Sequence, residues 1–248
     1  MERSGDANQE RDPGATPALP LRDAPAHGVD RGDRVHEFRS QGLRITWSRK
    51  RCIHAGVCVM SLPAVFEPGR RPWIDATGAG ADAIARVVAR CPTGALHCEA
   101  LDGGAAEATP AANVVHVARH GPLYLHGDIE IRDESGVVRL ADTRVALCRC
   151  GGSANKPLCD GSHLTCGFRD DGAVSAGAGV KNTGAVSGAL VVRPEPGGPL
   201  QLDGAFTVES ADRGTMLAGD SARLCRCGQS DTKPFCDGSH QRTGFVSR

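Results

Sequence analysis

The sequence predicts an α+β protein assembled from three small modules. Three observations carry that expectation. A stretch of alternating strand residues occurs twice at a fixed offset of 77 residues, one amphipathic helical segment precedes both copies, and the chain holds 11 cysteines and 9 histidines against only two Trp, one Tyr and six Phe. Modules so poor in large apolar side chains bury little core and need an additional staple, for which a metal site is the usual solution.

The first 35 residues are rich in Pro, Gly, Asp and Arg without an apolar period, and they read as a solvated tail. Its Arg31-Gly32-Asp33 is a chance tripeptide in a charged segment. Residues 36–102 form the first expected domain. Leu43-Arg44-Ile45-Thr46-Trp47 alternates apolar with polar as a half-buried strand does, and Ala81 to Arg90 places Ile84, Val87 and Val88 on one helical face. Residues 103–112 and 171–188 read as Gly/Ala-rich linkers.

Between them lie the two copies, 113–170 and 189–248. Leu123, Leu125, Gly127, Ile129 and Ile131 fall on Leu200, Leu202, Gly204, Phe206 and Val208 without a gap. Apolar residues at every second position mark strands with one buried face. A tandem duplication of a module of roughly 60 residues accounts for the offset, and the two modules are expected to pair about a pseudo-twofold axis.

Composition excludes several functions. Twenty-nine basic residues balance 29 acidic ones, which leaves no electrostatic footprint for nucleic acid or an anionic membrane. No run of 18 apolar residues is present, so no membrane span is expected. The opening MERSGDANQERDPG has no apolar h-region, so a cytoplasmic protein is expected. In a reducing compartment an odd number of cysteines points to metal rather than to a disulfide framework. No nucleophile elbow, Walker loop or dinucleotide fingerprint is found, so the protein is expected to be non-catalytic.

The chemistry-bearing motif is duplicated with the strands. Copy one offers Cys148, Cys150, Cys159 and His163; copy two offers Cys225, Cys227, Cys236 and His240. Three thiolates and one imidazole serve four-coordinate zinc or a [2Fe–2S] cluster with two ligands per iron. The tight Cys-x-Cys pair suits one iron of a cluster better than a zinc knuckle. Cys and His four apart lie one helical turn apart if Ser162 and His163 open a helix, which Asp160 and Asp237 would then cap beside Gly161 and Gly238.

C-x-C-x2-S-x3-P-x-C-D-G-S-H, present in both copies, resembles the CDGSH iron–sulfur family, the mitoNEET-like proteins. The resemblance implies two [2Fe–2S] clusters, one on each of the two Cys3His sets. Membrane-anchored relatives dimerise; this chain, with both motifs and no anchor, resembles the soluble tandem type and is expected to be a monomer. Because the coordinating imidazole nitrogen must be unprotonated, acid is expected to release clusters at His163 and His240.

Cys52-Ile-His54-Ala55-Gly-Val-Cys58 and the later Cys91-Pro92 fit the bacterial ferredoxin spacing with Ala55 at the second ligand position. That leaves Cys52, Cys58 and Cys91 for a [3Fe–4S] cluster, or for a [4Fe–4S] cluster with another fourth ligand. With RRPWID (70–75) and CPTGAL (91–96), residues 35–100 resemble the divergent mono-cluster ferredoxin-like domain. Cys98 is expected to be a packed thiol; Cys166, which aligns with Thr243, has no role common to both copies. His54 is expected to be a polar loop residue; His116, His120 and His126 are expected at the surface; Trp47 and Trp73 are expected to pack the N-terminal core. Three clusters suggest one-electron transfer with a redox protein partner. A cluster carrier serving an apo iron–sulfur acceptor, or a redox and pH sensor, is the alternative, and purely structural metal is a third reading.

Overall fold

A computed structural model describes residues 34–101, 107–175, 179–184 and 188–247. The expected tail falls almost wholly outside the described residues, as do 102–106 of the first linker and 176–178 and 185–187 of the second. The chain is β-rich with few, short helices. Among the described residues no helix is long and apolar enough to cross a membrane.

The N-terminal unit is a three-stranded antiparallel sheet, β1 (Val35–Arg39), β2 (Leu43–Ser48) and β3 (Leu96–Ala100), in that order. Between β2 and β3 run α1 (Val57–Ser61) and α2 (Ala81–Val88). The apolar face of α2 buries Ile84, Val87 and Val88 against Leu43, Ile45, Val65, Phe66, Ile74 and Leu96. Trp47 meets Trp73 edge-on, with ring centroids 4.9 Å apart, and both pack on this core. On the opposite face of β2, Arg44 is buried too, because Glu37 and Glu99 of the flanking strands pair with it.

The duplicated region forms one seven-stranded sheet. Its strands are β4 (Val114–Val117), β5 (Leu123–Arg132), β6 (Val138–Leu147), β7 (Val180–Lys181), β8 (Leu190–Pro194), β9 (Leu200–Glu209) and β10 (Met216–Leu224). Within each copy a short strand and a long hairpin pair antiparallel: β4 with β5 and β5 with β6, then β8 with β9 and β9 with β10. Each short strand also pairs in parallel with the other copy's long strand. Val115 faces Val208 and Val192 faces Ile131, two contacts related by the same offset of 77. Four strands therefore close into a ring, β4–β5–β8–β9 and back to β4. Each long strand passes from one short strand to the other at Gly127 (φ 152) and Gly204 (φ 116). A Cβ there would meet Asn113 and the Ala189 carbonyl oxygen, so only glycine fits these crossings.

The alternating residues point into a core shared by both copies, with Leu123, Leu125, Ile129 and Ile131 beside Leu200, Leu202, Phe206 and Val208. Two expectations need correction here. The segment 171–188 is not a free linker: β7 pairs with β10, Val174 is buried, and the Gly172 carbonyl accepts from Ala211 N–H. His116 and His120 are not plain surface residues. His116 Nδ1 lies 2.9 Å from Glu209 across the parallel pairing, and His120 Nδ1 accepts from Asp170 N–H at 3.1 Å. His126 is exposed.

Candidate metal centres

The two halves of each Cys–His motif are brought together by a second fold-back of the chain. After β6, Leu147 bridges Leu158, Cys148 N–H donates to Pro157 O at 2.8 Å, and Cys159 N–H donates to Ala146 O at 2.9 Å. In the second copy Leu224 bridges Phe235, with the same two bonds at Cys225 and Cys236. The donors then stand in pairs: Cys148 and Cys150 sulfurs 3.8 Å apart, Cys159 Sγ and His163 Nδ1 3.3 Å apart. The second copy repeats this, with 3.7 Å for Cys225 and Cys227 and 3.4 Å for Cys236 and His240.

Backbone N–H groups point at the sulfurs, as a thiolate requires. Gly152, Gly161, Gln229 and Gly238 donate to Cys150, Cys159, Cys227 and Cys236 at 3.4–3.5 Å. Without a cation, burial pushes the Cys159 thiol up to about 12 and Cys227 up to about 11, while a hydrogen bond from Cys150 holds Cys148 down at about 6. A metal inverts the cost of burial by supplying the missing positive charge.

The expected helix at the histidines is shorter than anticipated. Ser162–Leu164 is one 3-10 turn and Ser239–Arg242 one α turn (α3), and the residues at the cap are Gly161 (φ 91) and Gly238 (φ 88). The aspartates act one residue earlier. Asp160 accepts from Ser162 N–H at 2.9 Å and, with its other oxygen, from Ala154 N–H at 2.7 Å; Asp237 does the same with Ser239 and Asp231. Each carboxylate thus ties the His-bearing turn to the loop that follows Cys-x-Cys.

Sequence reasoning passed over the arginine between the paired cysteines. Arg149 is 1% exposed and donates to Gly121 O at 3.0 Å, to Ala118 O at 2.5 Å and to Asp170, with Phe168 over its guanidinium. Arg226 repeats this with Gly198 O, Glu195 O, Ser247 and Phe245. Its occurrence at the same place in both copies was the available signal. A planar guanidinium with five donors pins the ligand loop to the turn before the long strand.

The N-terminal cysteines line one open cleft of about 1760 Å³. Cys52 follows β2, Cys58 sits in α1, and Cys91 follows α2. Burial raises the Cys58 thiol and the nearby Cys91 and Cys52 charges add to the rise, which places the three within electrostatic reach. His54, exposed and left-handed (φ 56), lines the same cleft with Ala55. Cys98 lies on β3 against the core, its thiol pushed up to about 11 by burial, and Cys166 is exposed beside Gly152.

The family model for a divergent 4Fe-4S mono-cluster matches residues 38–100. The model for an iron-binding zinc finger of CDGSH type matches twice, at 120–164 and 197–241. The chain carries one divergent 4Fe-4S mono-cluster domain and two CDGSH domains. It is 56% identical over 32 residues to the mouse (Mus musculus) protein named CDGSH iron-sulfur domain-containing protein 3, mitochondrial, covering 12% of this chain and 23% of that one. The human (Homo sapiens) protein of the same name matches equally, with 25% of its length covered. The chain thus spans about a quarter of the length of these curated relatives. No solved structure matches it. The first CDGSH site is henceforth the one at Cys148–His163 and the second the one at Cys225–His240.

Proposed function

We propose that the protein is a cytoplasmic, non-catalytic one-electron carrier with two [2Fe–2S] sites and one [3Fe–4S] or [4Fe–4S] site in a ferredoxin-like N-terminal domain. The observation that carries the reading is the pairing of donors. Cys148 stands beside Cys150 and Cys159 beside His163, as Cys225 stands beside Cys227 and Cys236 beside His240, and donors in two pairs suit a cluster with two ligands per iron.

Cys148, Cys150, Cys159 and His163 would hold one [2Fe–2S] cluster, Cys225, Cys227, Cys236 and His240 the other, and Cys52, Cys58 and Cys91 the third. A bound cluster supplies a one-electron couple without bond rearrangement. The chain's part is to hold the sulfurs with N–H donors, exclude water from Cys148, Cys159 and Cys225, and pin each loop with a buried arginine. Imidazole ligation raises the potential of the CDGSH sites above all-Cys sites.

The alternative, a carrier that hands its clusters to an apo iron–sulfur acceptor, draws support from the second site, where Cys236 and His240 are only half-buried. Anaerobic purification with iron, sulfide and zinc analysis should give about seven or eight irons per chain. Repeated reduction and reoxidation should return the full visible spectrum. Zinc in place of iron, or transfer of the [2Fe–2S] spectrum to apo-ferredoxin without reversible cycling, would overturn the electron-carrier reading.

A further inference from the structure

The N-terminal domain does not sit evenly on the two CDGSH modules. Ile53, the residue after Cys52, is 7% exposed and packs against Ala146 and Cys159, with Tyr124 alongside. The residue after Cys52 thus shares a buried cluster with a ligand of the first CDGSH site. Around this contact the domains are bolted by polar groups. Arg51 donates to Arg144 O at 2.9 Å, and Asn155 donates to Lys50 O at 3.1 Å. Arg144 reaches back to Cys91 O at 3.3 Å and to Leu96 O at 3.1 Å. Tyr124, the chain's single tyrosine, is half-buried at this contact.

None of this chemistry recurs in the second copy. At the offset of 77, Tyr124, Asp142, Arg144, Ala146 and Asn155 become Gln201, Gly219, Ser221, Arg223 and Thr232. Arg223 stands where Ile53 would have to pack, and it is exposed and paired with Glu195. In the Cys–His half of each motif burial follows the difference: Cys159 and His163 are 3% and 8% exposed, whereas Cys236 and His240 are not buried. The two CDGSH sites, in turn, abut each other reciprocally. A Cβ on Gly151 would lie 2.5 Å from Cys227 O, and one on Gly228 would lie 2.6 Å from Cys150 O.

We propose that the three sites stand in a fixed row, with the N-terminal site coupled across Ile53 to the first CDGSH site and only through that site to the second. The inference rests on the cluster assignment above. With clusters bound, Cys52, Cys58 and Cys91 would hold the site that takes one electron from an external donor such as a reduced flavoprotein, and Ile53 would be the packed contact across which that electron reaches the site held by Cys148, Cys150, Cys159 and His163, with no proton or bond changing place.

The test is microwave power saturation of the two reduced [2Fe–2S] EPR signals in the full chain. Each signal is assigned by its change in an H163C or H240C chain, and a C58S chain, unable to load the N-terminal site, is the reference. The first site's signal should relax faster in the parent than in C58S, and the second site's signal should be unchanged. Ala146→Arg, which copies Arg223, should abolish that enhancement with all clusters loaded; the comparison of parent with C58S decides the order even if A146R does not fold. Equal enhancement at both sites, or enhancement undiminished in a loaded A146R chain, overturns the row. A chain that keeps the expected pattern but does not cycle reversibly sinks electron transfer as the function and leaves the row standing.

Discussion

Asp142→Asn should cost about 3–5 kcal/mol of folding stability, the loss expected when one partner of a buried ion pair is removed and the other remains. The carboxylate is buried between the domains. Arg51 Nη2 lies 2.5 Å and His97 Nε2 3.1 Å from Asp142 Oδ2, while Oδ1 accepts from Thr143 N–H at 2.6 Å and Arg144 N–H at 3.1 Å. An asparagine oxygen can keep the two backbone bonds. Its amide cannot neutralise the partly buried Arg51, and His97 loses the charge that favours its protonated form, with Glu107 alone left against Arg144 and His97.

The pH dependence is specific. Burial opposes the charge on His97, but the Asp142 charge and hydrogen bonds to Asp142 and Glu107 outweigh it and push its pKa from 6.5 up to about 9. That rise corresponds to about 3 kcal/mol of differential proton affinity. Because the folded value lies above the unfolded one, the contribution is full below pH 6.5 and is lost as pH climbs through about 9. Burial also opposes the Asp142 charge, and Arg51 and His97 outweigh it to hold the carboxyl well below its ordinary 3.8. That contribution is present above pH 3.8 and lost in acid below it. Urea unfolding of parent and D142N at several pH values between 6 and 10 is the assay. The parent should lose stability across this range and the variant should not. A loss under about 1 kcal/mol, the worth of a solvated surface pair, would refute the reasoning, as would identical pH profiles.

Arg149→Met should destabilise the protein by about 3–5 kcal/mol in thermal or urea unfolding, because it strands Asp170, the buried Gly121 carbonyl and the Ala118 carbonyl. Gly151→Ala forces a left-handed residue (φ 80), at about 1–2 kcal/mol, and drives its methyl into Cys227 O; the visible spectrum should report loss at both CDGSH sites together. On acidification the second site should bleach before the first, since His240 is the more exposed imidazole, and H240C should delay that first step more than H163C does, read by visible absorption.

Much of this was legible in the chain itself. The strands at Leu123 and Leu200 follow from a period of two, the α2 face from Ile84, Val87 and Val88, and the recurrence of the same donor pairs in both copies from the duplicated spacing. What escaped depends on partners distant in sequence. The parallel pairing of β4 with β9 leaves no mark in either strand, since an apolar alternation suits any neighbour. The docking at Ile53 involves single side chains without a period, and Asn113, whose amide donates to Gly188 O and Ala205 O, has no local signature either. The second linker misled because Gly and Ala describe both a loose tether and a segment that must pass close to other backbone.

The closed ring of β4, β5, β8 and β9 has a further consequence. Half of it, 113–170 alone, would carry a long strand with one flank only partly covered, and such an edge seeks another copy. The arrangement is that of a dimer folded into one polypeptide. In a homodimer every substitution appears twice, so a tyrosine beside one cluster obliges a tyrosine beside the other. Joining the copies removes that obligation. Tyr124 and Gln201, or Ala146 and Arg223, are free to differ, and a single N-terminal domain can claim one face and leave its twin to the solvent. Broken symmetry is what joining the copies permits.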